Sequence, residues 1–218
     1  MAKADVNHDG REDLFIGGSK GHPAQLFLQS ANGTLIPSKQ PAFEKDDASE
    51  DGAAEFFDAN GDGNPDLFIA GGGYESPEND SILQGRLYLN DGKGHFTLAE
   101  GAIPRLTLSA GCVKAADVNG DGFPDLFIGG RVVPGKYPLS PGSRILLNDG
   151  KGHFTDATAR LAPALADLGM VTDAVWIDLN NDRQPDLVVV GEWMPVRVFL
   201  NHGGRLDDAS VQIGRAHV

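Results

Sequence analysis

The 218-residue sequence predicts an all-β fold, a β-propeller whose four blades each hold four antiparallel strands. Three observations predict it. First, an acidic motif joined to an apolar run occurs four times: DVNHDGREDLFIGG from Asp5, DANGDGNPDLFIAGG from Asp58, DVNGDGFPDLFIGG from Asp117 and DLNNDRQPDLVVVG from Asp178. The starts lie 53, 59 and 61 residues apart, the spacing of a repeated supersecondary unit. Second, LNDGKGHFT is identical at Leu89 to Thr97 and Leu147 to Thr155, with looser forms LQSANGTL from Leu28 and LNHGGRL from Leu200. Third, no segment shows a convincing helical period; the best candidate, Ala157 to Leu168, is short and contains Pro163.

The third repeat shows each element in order. Gly111 to Val118, with small and β-branched residues, reads as a first strand. Asn119 to Pro124 is a loop of Asn, Asp, Gly and Pro. Asp125 to Ile128 opens a second strand, closed by Gly129-Gly130, and a variable stretch RVVPGKYPLSPGS follows. Arg144 to Leu147 makes a third strand, NDGKG a tight turn and His153 to Thr155 a fourth. Four short strands in some 58 residues describe a propeller blade. A β-helix has shorter coils, and stacked sandwich domains need more residues per unit. On this reading residues 1–210 form one propeller unit, with repeats starting near residues 3, 53, 111 and 171.

The acidic loops carry the chemistry. Asp stands at positions 1, 5 and 9 of each motif and Asn at position 3, which places oxygen ligands on alternate residues of a turning loop. The side chains are Asp5, Asn7, Asp9 and Asp13; Asp58, Asn60, Asp62 and Asp66; Asp117, Asn119, Asp121 and Asp125; and Asp178, Asn180, Asp182 and Asp186. Position 7, where Arg11, Asn64, Phe123 and Gln184 have nothing in common, is expected to offer a backbone carbonyl. Hard oxygen ligands in this number suit Ca²⁺, up to four ions in all, better than zinc or copper. An EF-hand shares the start of this pattern but requires a bidentate Glu at position 12, which here is Ile16, Ile69, Ile128 and Val189. A metal-free surface turn is the usual explanation of one such loop. Four loops retaining all 12 carboxylates argue against it. Gly10, Gly63 and Gly122 permit a sharp turn at position 6, whereas the fourth loop has Arg183 there, so its site is expected to be weaker or differently shaped.

The bulk charge follows from these loops. Removing their 12 negative charges from the net −13 leaves −1, so the acidity is local. That balance argues against nucleic acid, whose phosphates need Lys and Arg. No run of 18 apolar residues occurs, so no membrane insertion is expected, and Met1 to Asp5 running straight into the first repeat is not expected to be a signal peptide. The single cysteine, Cys112, reads as a small buried side chain. No nucleophile–base pair, phosphate loop, G-x-S-x-G or H-E-x-x-H pattern stands out, and His95 and His153 fall at equivalent turn positions, so no catalytic residue is assigned and no enzyme activity is expected.

The motif D-x-N-x-D-G-x-x-D-L-F-I-G-G followed by L-x-L-N-D-G-x-G-x-F resembles the FG-GAP/VCBS repeats of integrin α-type propellers, from Lys3 to about Ser210. It is similar above all to bacterial exported or surface proteins of the ASPIC/UnbV-associated type, although that extra segment is not visible in the chain. The resemblance implies calcium in the loop between the first two strands, ligand contact on the opposite face and about seven blades. It also implies a secreted, periplasmic or cell-surface location. Four motifs then make an open arc of a larger ring, completed by remaining blades of a parent protein; a closed four-bladed ring is the alternative. Residues 213–218 read as a non-native read-through tail.

Two functions fit this reading. One is a calcium-stabilised interaction module binding protein or glycan; the other is a non-catalytic or substrate-binding propeller of a larger exported enzyme such as a polysaccharide lyase or phospholipase. The connections between second and third strands emerge opposite the acidic loops, at Gly72 to Gly85, Arg131 to Ser143 and Gly191 to Pro195. They carry Tyr74, Tyr137 and Trp193, either ligand anchors or caps on the blade tops.

Overall fold

A computed structural model describes residues 1–210 as four separate four-stranded antiparallel sheets. The expected tail at 213–218 lies outside the described residues. Blade 1 comprises β1 (Ala2–Ala4), β2 (Asp13–Ile16), β3 (Gln25–Gln29) and β4 (Leu35–Ser38). Blade 2 comprises β5 (Asp51–Phe57), β6 (Asp66–Gly71), β7 (Arg86–Asn90) and β8 (Phe96–Leu98). Blade 3 comprises β9 (Ser109–Ala116), β10 (Asp125–Val132), β11 (Arg144–Asn148) and β12 (Phe154–Asp156). Blade 4 comprises β13 (Met170–Ile177), β14 (Asp186–Glu192), β15 (Arg197–His202) and β16 (Arg205–Asp208). Within each blade the strands pair in chain order, and the first strands β1, β5, β9 and β13 neighbour one another across blades.

Each second strand is apolar on both faces, and the two inner blades are covered on both sides. Blades 1 and 2 pack through Phe15, Leu26, Leu67, Ile69, Tyr88 and Phe96. Blades 2 and 3 pack through Phe68, Leu87, Leu126, Ile128 and Leu146. Phe127, Ile145, Val171, Leu187 and Phe199 fill the seam between blades 3 and 4, with buried Cys112 beside them. Burial there pushes the Cys112 thiol up to about 12. Consecutive residues of one strand thus serve opposite seams, as the two-residue strand period requires.

The four blades form an open arc, not a closed four-bladed ring. Ile16 is 42% exposed, whereas its counterparts Ile69 and Ile128 are buried against the preceding blade. On the far side of blade 4, Val175 and Val190 are likewise exposed.

Two local expectations needed correction. Gly129-Gly130 does not end the second strand: β10 runs on to Val132 through register shifts at Gly129 and Gly130. A Cβ on Gly130 would lie 2.2 Å from the Gly142 carbonyl oxygen, so glycine here serves close approach within a continuing strand. The stretch from Ala157 contains a helical turn, α1 (Thr158–Leu161), then a 3₁₀ turn at Pro163–Asp167. A single turn is too short to display a helical period in sequence. Pro41–Glu44 and Ser81–Leu83 form two further short turns.

Candidate functional site

All four acidic loops share one hydrogen-bond pattern, apart from the bond donated by the position 4 N–H, which the second and third loops make. In the third, Asp117 Oδ1 accepts from the backbone N–H of Gly120 at 2.8 Å and Asp121 at 3.1 Å, while Oδ2 accepts from Gly122 at 2.9 Å. Asn119 Oδ1 accepts from Asp121 N–H at 3.0 Å, and Asp121 Oδ1 accepts from Phe123 N–H at 2.9 Å. Short polar side chains therefore wind the chain around their own oxygens, the mechanism of an Asx turn. The fourth loop keeps this winding: Arg183 N–H donates to Asp178 Oδ2 at 2.9 Å although Arg183 has φ +69°. Position 4 also has positive φ throughout, at His8, Gly61, Gly120 and Asn181, a demand the sequence reading missed. Its signal was the choice of His, Gly, Gly and Asn at that position.

Position 9 does different work. Asp13, Asp66, Asp125 and Asp186 are fully buried. Asp125 Oδ2 accepts from Val118 N–H at 3.0 Å and Oδ1 from Asn148 N–H at 2.9 Å, tying the loop to β11. The other three acids make the equivalent bonds to Val6 and Gln29, Ala59 and Asn90, and Leu179 and Asn201. Burial pushes Asp66 and Asp125 up to about 6, with repulsion from the other aspartates of each loop adding to it. Asp13 is raised for the same first reason.

A second strut comes from the LNDG turn. Asn90 Nδ2 donates to the Val6 carbonyl at 2.8 Å, Asn148 Nδ2 to Ala59 at 3.0 Å and Asn201 Nδ2 to Val118 at 2.8 Å. Each asparagine grips the acidic loop of the preceding blade. The sequence reading treated this residue as a turn former; the positive φ of the turn belongs to Gly92, Gly94, Gly150 and Gly152 instead. Its recurrence at three equivalent places was the available signal.

The loops differ in how their charge is met. In the first, the Arg11 guanidinium folds onto Asp9 and its Nε donates to the Gln29 carbonyl at 2.8 Å. Among the described residues, no Lys or Arg forms an ion pair with the loop aspartates of the other three. No three His, Cys, Asp or Glu side chains converge as a ready-made metal cluster among the described residues. The donor set is nonetheless wholly oxygen, and although Asp117 Oδ1 accepts two N–H bonds, Asp117 Oδ2 and Asp121 Oδ1 each accept one backbone N–H bond and keep a lone pair. That chemistry fits a hard cation. The position 7 side chains go elsewhere: Asn64 Oδ1 meets His8 Nε2 at 2.8 Å, and Gln184 Oε1 accepts from Gly203 N–H at 2.5 Å. The Phe123 ring lies over Gly150.

On the opposite face the structure brings Tyr74, Tyr137 and Trp193 together from three consecutive blades. They stand on the β6–β7, β10–β11 and β14–β15 loops. Trp193 Nε1 donates to Tyr137 Oη at 2.8 Å, and the Tyr137 N–H donates to Tyr74 Oη at 3.4 Å. The side chains are 80%, 55% and 46% exposed for Trp193, Tyr137 and Tyr74. Trp193 takes φ +57°, an unfavourable conformation for a bulky residue, which holds the indole at the surface. Ion pairs of Lys136 with Glu78 and Arg131 with Glu192 link the same loops between blades.

Comparison with known proteins matches this architecture. Among solved structures, the chain is similar to one described as the structural basis of specific recognition of non-reducing terminal N-acetylglucosamine by an Agrocybe aegerita lectin. The TM-score is 0.59 at 23% sequence identity, over 94% of this chain and 49% of that one. The chain thus spans about half the length of that relative. No curated protein sequence matches. A family model for the FG-GAP-like repeat matches residues 5–69 and again 58–128, each match running from one acidic loop into the strand after the next. These two matches take in more than half of the chain, which belongs to the FG-GAP-like repeat family.

Proposed function

We propose that the chain is a calcium-stabilised propeller module of an exported or cell-surface protein, binding protein or glycan on the face away from its acidic loops. The observation that carries the binding face is the row of three exposed aromatic side chains, one from each of three blades, hydrogen-bonded to one another. Large apolar rings left exposed and oriented by polar contacts are the usual anchors of recognition surfaces. Among the described residues no acid–base or nucleophile constellation accompanies them, and the role proposed is binding without catalysis.

The acidic loops would hold calcium through Asp117, Asn119, Asp121 and Asp125 and their counterparts in the other blades. A bound cation would supply the ion-pairing partner that the aspartates of three of the four loops lack among the described residues. Loop 1 already has Arg11 on Asp9, and loop 4 has Arg183, so the second and third loops fit the ion best.

Binding of the purified chain to a glycan array and to whole bacterial surfaces tests the module. Tyr74→Ala, Tyr137→Ala and Trp193→Ala should each weaken binding while leaving the melting temperature within the range of ordinary surface substitutions. If all three variants melt early and bind like the parent chain, the rings are caps and the binding face lies elsewhere.

A further inference from the structure

A cavity of about 290 Å³ lies between blades 2 and 3, walled in part by Val133, Pro134 and Pro141 of the loop that carries Tyr137. Small-molecule sites start near this size, roughly 300 Å³, so it has room for a single sugar ring. Its apolar wall includes Leu108, Val133 and Pro134, and its polar rim carries Arg105, Arg144 and Glu78. Glu78 is engaged by Lys136, which immediately precedes Tyr137, so cavity and aromatic row share one loop.

The charge around this cavity runs against that of the chain. Arg144 donates to the Ser143 carbonyl at 3.0 Å and lies 3.6 Å from Asp156. Arg105 is exposed and has no ion pair or side-chain hydrogen bond among the described residues. With Lys136 matched by Glu78 and Arg144 by Asp156, one guanidinium is left over in a chain of net charge −13. A guanidinium is the side chain best shaped for two-pronged contact with a carboxylate.

We propose that this face binds an acidic polysaccharide: one uronic acid ring sits in the cavity with its carboxylate on Arg105, Arg144 beside it, and following rings lie across Tyr137 toward Trp193. The proposal rests on the aromatic row being the binding face. A pyranose ring matches both features, since its C–H face suits the apolar wall and the indole while its carboxylate suits Arg105. An acidic peptide is the weaker match, because the exposed rings of Tyr137 and Trp193 are flat surfaces suited to the face of a sugar ring.

Titration of the intact chain with oligogalacturonate, oligoalginate and hyaluronan oligosaccharides, followed by calorimetry, tests this. At least one should bind, and Arg105→Gln should weaken it on the order of tenfold or more, since a bond to a charged group is lost. Methyl esterification of the same oligosaccharide should weaken binding equally, and the variant should not distinguish ester from acid. Arg105 is exposed, so the variant should melt with the parent chain. Failure of all three acids to bind overturns the proposal, as does an esterified ligand that binds as well as the acid. If Trp193→Ala abolishes binding of a neutral glycan while Arg105→Gln leaves it unchanged, the binding face stands and the uronate assignment falls. Preferential binding of an Asp- and Glu-rich peptide at the same residues also overturns it.

Discussion

At Asn148 one side-chain amide joins three parts of the molecule. It donates to Ala59 of the preceding blade and to Pro124 at 3.1 Å, and its oxygen accepts from Gly150 N–H at 3.0 Å. Its backbone N–H meets the buried Asp125. Leaving buried carbonyls without donors costs roughly 1–3 kcal/mol. Asn148→Ala is therefore expected to lower stability by about that amount in urea unfolding, whereas Lys151→Ala, on the exposed side of the same turn, should be close to neutral. An Asn148→Ala protein as stable as its parent would mean that the strut contributes nothing.

The loop is the element on which the calcium reading depends. Extracellular-type oxygen sites bind Ca²⁺ at roughly 10⁻⁴ to 10⁻³ M. Millimolar calcium then stabilises each occupied loop by on the order of 1 kcal/mol through mass action. Calcium is expected to raise the melting temperature and a chelator to lower it, and Asp121→Ala should remove the third loop's share. The corresponding Asp182→Ala should remove less, because Arg183 stands beside that site. A folded chain whose melting is indifferent to both calcium and chelator would exclude the ion. The loops were legible in sequence because each oxygen needed for the turn is a residue type that appears in the text. The buried role of Asp125 was not legible, since nothing in the motif separates an acid facing the core from one facing solvent.

Across the whole arc, the same strand position meets different surroundings. Ile69 is 1% exposed against blade 1, and Ile16 occupies the equivalent place with no blade in front of it. Ile69→Ala is expected to cost about 2–5 kcal/mol, and Ile16→Ala about 1 kcal/mol or less. Equal losses at the two positions in calorimetric unfolding would show that the face of blade 1 is covered in solution. Blade number and strand order were readable because the repeat period and the hydrophobic alternation are carried by local residues. The clustering of Tyr74, Tyr137 and Trp193 was foreseeable only as a shared face. Their hydrogen bonds depend on how blades 2, 3 and 4 are rotated against one another, which no single repeat encodes. The cavity at Arg105 and Arg144 was not foreseen for a related reason: its walls come from the β6–β7, β8–β9 and β10–β11 connections, which have variable sequences and meet only in the assembled arc.

The asparagine struts all point one way along the chain. Asn90, Asn148 and Asn201 each reach back onto the carbonyl of the loop before them, so the blades overlap like roof tiles, every later tile pinning the edge of the earlier one. Leu179, which holds the corresponding place in the last loop, receives no such pin among the described residues. Each seam carries one such pin, so peeling from either end releases them singly. The arc still has a direction, since among the described residues its first three loops are held by a later tile and its last is not.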